Sequence, residues 1–132
     1  MNLRLSACFL TLLIGDISHA TEYDPMWNSG AQGPDGFSWE RKVPRAVLEQ
    51  APRWTPDQGE IPISPTQAYQ KSLTALRTLN LGKFTFKSLV LDAEGFHPTH
   101  YRVSLSDKTT NHTVEFLVFM DGTVISPVMT SK

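Results

Sequence analysis

A single cysteine, Cys8, occurs in 132 residues. One thiol can form no internal disulfide and no thiolate metal cluster, so a fold must rest on a packed core, on other metal ligands or on association. Charge of either sign is also scarce in excess: 12 Lys and Arg stand against 13 Asp and Glu, a formal net charge of −1. Nucleic-acid binding draws on a clustered basic surface, and the chain has no basic run, which excludes a nucleic-acid partner. Neither a glycine-rich phosphate loop nor a glycine-flanked nucleophilic serine occurs. Beyond residue 20 no apolar run is long enough to cross a bilayer.

What is present begins with a leader pattern. Arg4 gives a positive start, Leu5 to Ile14 is apolar apart from small residues, and Ser18-His19-Ala20 sets small side chains where a signal peptidase reads. The pattern predicts a signal peptide over 1–20 and an exported protein, periplasmic or secreted, whose mature part starts near Thr21. Losing the leader removes Arg4, Asp16 and Cys8, which leaves the net charge unchanged and the mature chain without cysteine. Leu5-Ser6-Ala7-Cys8 carries the letters of a lipobox. A lipobox follows its apolar run, whereas here the run follows Cys8, which argues against a lipid anchor.

Residues 21–60 form an arm dense in breakers: Pro25, Gly30, Gly33, Pro34, Gly36, Pro44, Pro52, Pro56 and Gly59. This spacing predicts neither long helices nor central strands. All three tryptophans, Trp27, Trp39 and Trp54, lie here with Tyr23 and Phe37. Linkers that stay unfolded are poor in aromatics, so the expectation is an irregular arm that docks, at least from Phe37 onward. Arg45 to Gln50 reads equally as a short strand or a turn of helix.

Residues 61–132 carry the regular pattern. Ser64-Pro65-Thr66-Gln67 reads as a capping box with proline at the first helical position. Ala68, Tyr69, Leu73, Leu76 and Leu79 then recur at helical spacing, predicting a helix over 65–80 that Gly82 ends in a left-handed conformation. Four strand patterns follow. Lys83 to Leu91 sets Phe84, Phe86 and Val90 against Thr85, Lys87 and Leu89. Tyr101, Val103 and Leu105 alternate with Arg102, Ser104 and Ser106. Val114 to Met120 is nearly all apolar, Asp121-Gly122 suits a two-residue hairpin turn, and Thr123 to Val128 ends at Pro127, which cannot donate to a ladder. The predicted fold is α+β: one amphipathic helix followed by a four-stranded antiparallel meander, with the Pro/Trp-rich arm packed on it.

The hairpin implies a sheet that is apolar on both faces. A two-residue turn groups Val114, Phe116, Val118, Met120 and Ile125 on one face, with Leu117, Phe119, Val124 and Val128 on the other. Burying a large apolar side chain is worth about 1.5–3 kcal/mol, so one helix leaves the second face in need of a cover. A unit of about 70 residues without a staple is marginal in any case. The arm is the nearest candidate, and a homodimer or partner protein the alternative.

Candidate chemistry is thin. His97 and His100 flank Pro98 in extended chain, which spreads a three-residue step over about 10 Å, too far to share one ion. His112 falls at the far end of the next hairpin. A metal site is therefore not expected, nor a cofactor; the weak variant would join His97 to Asp92 or Glu94. Glu115, on an otherwise apolar strand face, or His100 is the acid or base that an enzyme would use in a pocket between helix and sheet. Trp27, Trp39 and Trp54 could stack on sugar rings or line a peptide groove, although irregularly spaced aromatics more often serve as core cover.

The strings Ile63-Ser64-Pro65-Thr66-Gln67-Ala68, Tyr101-Arg102-Val103 and Phe119-Met120-Asp121-Gly122-Thr123-Val124-Ile125 resemble a PepSY-type module: an amphipathic helix, then strands, closing on an acid–Gly–x–Val turn. Ala51-Pro52-Arg53-Trp54 with Ile61-Pro62-Ile63-Ser64 resembles a group of small exported bacterial proteins. The arm departs from the PepSY pattern. The resemblance implies an exported, non-enzymatic module with a regulatory or inhibitory binding role and no defined catalytic residues. An unpaired edge strand, Lys83 to Leu91 or Thr123 to Val128, would let such a domain capture an extended peptide or protein segment by strand addition.

Overall fold

The structure, a computed structural model, describes residues 21–33, 35–80, 82–93 and 97–131. The expected signal peptide, with Cys8 and its lipobox letters, lies outside the described residues.

Helix α2 spans Pro65–Leu79, and α1 is the short Arg45–Gln50 segment, helical rather than extended. The reciprocal cap of α2 is formed: Ser64 Oγ accepts from the Gln67 amide at 3.2 Å, and Gln67 Oε1 accepts from the Ser64 amide at 2.8 Å. Its left-handed stop is Asn80, with φ 52° and ψ 43°, two residues ahead of the expected Gly82. The short Asn amide tolerates that conformation, which most side chains cannot.

Strands β3 (Thr85–Asp92), β4 (His100–Ser106), β5 (Thr113–Phe119) and β6 (Val124–Ile125) make the meander in the order β3-β4-β5-β6, antiparallel throughout. Two local irregularities reset its faces. In β3, Phe86 pairs with Leu105 but Ser88 with Ser104, so Lys87 is an extra, bulged residue. Past the bulge Leu89 stands opposite Val103 and Val90 opposite Arg102. Leu89, not Val90, therefore shares the helix-facing side with Phe86.

The β5–β6 turn is the second. Phe119 donates its amide to the Thr123 carbonyl at 2.9 Å, and Gly122 donates to the Phe119 carbonyl at 2.9 Å. The loop is thus Met120-Asp121-Gly122, three residues instead of two, with Gly122 at φ 88°. Asp121 Oδ1 holds the turn by accepting from the Thr123 amide at 2.9 Å. The register becomes Leu117↔Ile125 and Val118↔Val124, so Ile125 and Val124 exchange the faces expected of them.

Both faces are nonetheless apolar, and both are covered. Under α2, Ala68 and Leu76 pack with Tyr101, Val103, Leu105, Val114, Phe116, Val118 and Met120. On the reverse, Leu117, Phe119 and Ile125 pack with Val43 and Ala51 of the arm, and Trp27, Val47 and Leu48 close around them.

The arm is more regular than its breakers suggest. After Pro127 the chain resumes as β7 (Val128–Ser131), which pairs with β2 (Phe37–Arg41), itself paired with β1 (Ser29–Gln32). The three-stranded order β1-β2-β7 makes β2 a central strand, against the expectation that the arm holds none. The interval between Gly36 and Pro44 holds no breaker, and it accommodates this strand of 5 residues. Gly30 lets β1 approach, since a Cβ there would stand 2.6 Å from the Trp39 carbonyl oxygen.

Specific polar ties fix the arm to the meander. Thr99 accepts the Trp54 amide at 2.8 Å and returns its hydroxyl to the Trp54 carbonyl at 2.6 Å. Tyr101 donates to the Ile63 carbonyl at 2.7 Å. His112 stacks on Phe37 with ring centroids 3.7 Å apart and meets Asp35 at 2.6 Å. Among the described residues no helix is long and apolar enough to cross a membrane.

Candidate functional site

The three indoles do not share a surface. Trp39 is buried, 7 % exposed, in the cluster beneath α2, and Trp54 packs against the same cluster. Trp27 lies on the opposite cluster, half-buried. Core cover accounts for Trp39 and Trp54, although Trp39 also edges a shallow opening beside Glu40; Trp27 borders an opening that gathers two histidines, an aspartate and two arginines.

That opening is a cleft of about 440 Å³ where the arm meets the ends of β3 and β4. Met26, Trp27 and Arg41 come from the arm; Asp92, His97, His100, Arg102 and Leu117 come from the meander. The pairing Asp92↔His100 and the alternation of His100 with Arg102 place these three on the arm-facing side of the sheet. Trp27 sits edge-on to both His97 and His100, at centroid distances of 5.3 and 4.9 Å.

His100 is 4 % exposed, and its Nδ1 lies 2.8 Å from the Pro98 carbonyl. A carbonyl only accepts, so Nδ1 carries the proton and the neutral ring presents a lone pair at Nε2. Nε2 stands 3.9 Å from Asp92 Oδ2. Burial depresses the imidazole's pKa below its ordinary value, opposed by the Pro98 carbonyl and Asp92 and reinforced by the nearby Arg102 and Arg41.

Arg41 floors the cleft at 5 % exposure. One terminal nitrogen meets Glu115 Oε1 at 2.5 Å, and its Nε is buried without a hydrogen-bond partner. Phe37, Trp39 and Arg41 alternate on one face of β2, which turns the guanidinium inward with the aromatics. Sequence reasoning missed Arg41; the only available signal was this alternation, hidden by the density of glycine and proline around it.

The two acid–base candidates, Glu115 and His100, do not share a site. His100 pairs with Phe119, four residues along β5 from Glu115, a separation of about 13 Å at strand rise. Glu115 is engaged by Arg41 instead. Apolar side chains fill the space beneath α2, and the opening where α2 borders Val124 of β6 includes neither Glu115 nor His100. His112 lies at the other end of the β4–β5 hairpin with Asp35. Among the described residues no group of three His, Cys, Asp or Glu could hold a metal, and Glu94 lies outside them.

A second feature is the outer edge of β3. Among the described residues this strand of 8 residues is paired on one side only, by β4. Phe86, Val90 and Leu91 on it are 50 %, 44 % and 38 % exposed. The bulge at Lys87 twists its first half, leaving Ser88 to Asp92 as the regular portion. The other expected edge, Thr123 to Val128, is not continuous: β6 spans two residues and β7 belongs to the second sheet.

No protein-family model, no curated protein and no solved structure matches the chain.

Proposed function

We propose that the mature protein is an exported, non-enzymatic module of PepSY-like type that binds an extended peptide or protein segment by strand addition to β3. The observation that carries this reading is the regular half-edge Ser88 to Asp92, which has no partner strand on its outer side among the described residues, with Val90 and Leu91 open to solvent on opposite faces. Main-chain hydrogen bonds would supply affinity, and alternate side chains of the guest would pack beside Val90 on one face and Leu91 on the other. The leader pattern supports export, and the helix-then-meander order supports the PepSY-like assignment.

The test uses a synthetic heptapeptide of alternating threonine and valine, followed by amide hydrogen exchange and NMR shift mapping. The reading expects outward amides within 88–92 to gain protection, and N-methylation of alternate residues along one edge of the peptide to abolish binding while the same change on the other edge is tolerated. Equal tolerance of both N-methylated peptides, or protection confined to α2, would refute strand addition. Loss of exchange at β3 without peptide, rising with protein concentration, would assign the edge to a second copy of the chain.

A further inference from the structure

We propose that the cleft between Trp27 and the β3–β4 ends is a binding site for a free α-amino acid. It shares only Asp92 with the β3 edge and does not depend on the strand-addition reading. The site offers groups that complement both charges such a ligand carries. Arg41 and Arg102 supply guanidinium groups, and Asp92 supplies a carboxylate beside the His100 lone pair.

Two details of geometry favour a zwitterion over a plain anion. His100 Nε2 and Asp92 Oδ2 are both acceptors 3.9 Å apart. A single donor atom at about 2.9 Å from each can bond to both beside the interaction Asp92 already makes, since an ammonium carries several hydrogens and a carboxylate accepts several bonds at once. Arg102 lies diagonally across the ladder from Asp92, one strand over and two residues along, a spacing of about 7–8 Å. A carboxylate attached one carbon from that ammonium falls between the Asp92–His100 pair and the guanidinium.

Arg41 adds positive charge to the site. Its guanidinium lines the cleft at 5 % exposure with Glu115 as its ion-pair partner, and together with Arg102 it would attract a ligand carboxylate. Trp27 and Leu117 supply the apolar wall for a side chain, which favours an aliphatic or aromatic amino acid over glycine.

The experiment is a titration of the whole chain with L-leucine up to about 10 mM, followed by Trp27 indole and His100 ring shifts in NMR. Saturable binding is expected, weakened at least about tenfold for N-acetyl-leucine, which lacks the ammonium, and for leucine methyl ester, which lacks the carboxylate. Arg102→Gln and Asp92→Asn, neither of them in the core, should each weaken leucine by a similar factor with the far-UV spectrum unchanged. Leu-Leu dipeptide, whose charges stand farther apart, should bind less tightly. The proposal is overturned by absence of saturation in the intact protein, by equal binding of N-acetyl-leucine, by indifference to Arg102→Gln, or by tighter binding of the dipeptide.

Discussion

Truncating Phe119 to alanine separates a sheet covered on both faces from one covered on a single face. Phe119 is fully buried on the side away from α2, with its ring 5.9 Å from that of Trp27 and 5.6 Å from that of His100. Removing a phenylalanine from a packed core costs about 3–5 kcal/mol, transfer and cavity terms together. On an open sheet face the same substitution falls within about 0.5 kcal/mol of neutral. Phe116, equally buried but under α2, is the internal control, because Phe116→Ala should be severe whatever the arm does. Urea unfolding followed by far-UV circular dichroism gives both values from the midpoint and slope. A domain of this size has about 5–15 kcal/mol in hand, so each variant should lose a large part of its stability. Val43→Ala, on the arm side of the same cluster, should couple to Phe119→Ala by about 0.5–3 kcal/mol in a double-mutant cycle. A Phe119→Ala loss below about 1 kcal/mol beside a large Phe116→Ala loss, or strict additivity with Val43→Ala, would refute the docked arm.

Other substitutions probe single links of the argument. Ser64→Ala removes the acceptor for the Gln67 amide and should lower the urea midpoint by the equivalent of about 1 kcal/mol, with α2 still formed. Gly122→Ala should destabilise by about 1–2 kcal/mol through its φ of 88°, because the only nearby atoms are the flexible end of Lys71. Glu115→Ala strands the Arg41 charge and should cost about 3 kcal/mol or more, while Arg41→Met with Glu115→Leu should recover most of it, a comparison made by thermal melting. The depressed pKa of His100 means that the unfolded chain binds its proton first, so this group's contribution is complete above about pH 6.5 and is lost as pH falls below it. His100→Gln should therefore flatten the stability profile between about pH 6.5 and 5, measured by urea midpoints; an unchanged slope would remove His100 as its source.

The helix was legible because its signals are local. A capping box, a proline and a periodic apolar stripe all lie within a few residues of one another and agree. Strand β4 was equally clear, since Tyr101, Val103 and Leu105 alternate without interruption. The misreadings each involve a single residue that local pattern leaves ambiguous. Asp121-Gly122 satisfies a two-residue turn and also the last two positions of a three-residue one, yet the choice exchanges the faces of Val124 and Ile125. Lys87 looks like an ordinary polar position in an alternating strand, and only the partner strand reveals it as a bulge. The β2–β7 pairing joins Trp39 to Met129 across most of the chain, a distance over which no periodicity carries information. Of the cleft, His97, His100 and Trp27 were visible as residue types, whereas Arg41 became part of it only through that pairing.

The cover and the cleft are consequences of one docking event. Trp27 and Arg41 reach the cleft only because Val43, Val47 and Leu48 seat the arm on Leu117, Phe119 and Ile125. A sheet with one wet face would have left His100 in solvent, where burial could not depress its pKa. Covering that face with a segment this rich in glycine and proline leaves an imperfect fit at its margin. The misfit falls where Arg102, Asp92 and His100 interrupt the apolar surface of the sheet. Ligand bound there would contact arm and meander together, so occupancy must stabilise arm docking by mass action, by about 2.7 kcal/mol at a hundredfold excess over the dissociation constant. On that proposal a small molecule would tighten the docking of the arm, and arm mutations far from the cleft would weaken binding in proportion to the docking they lose.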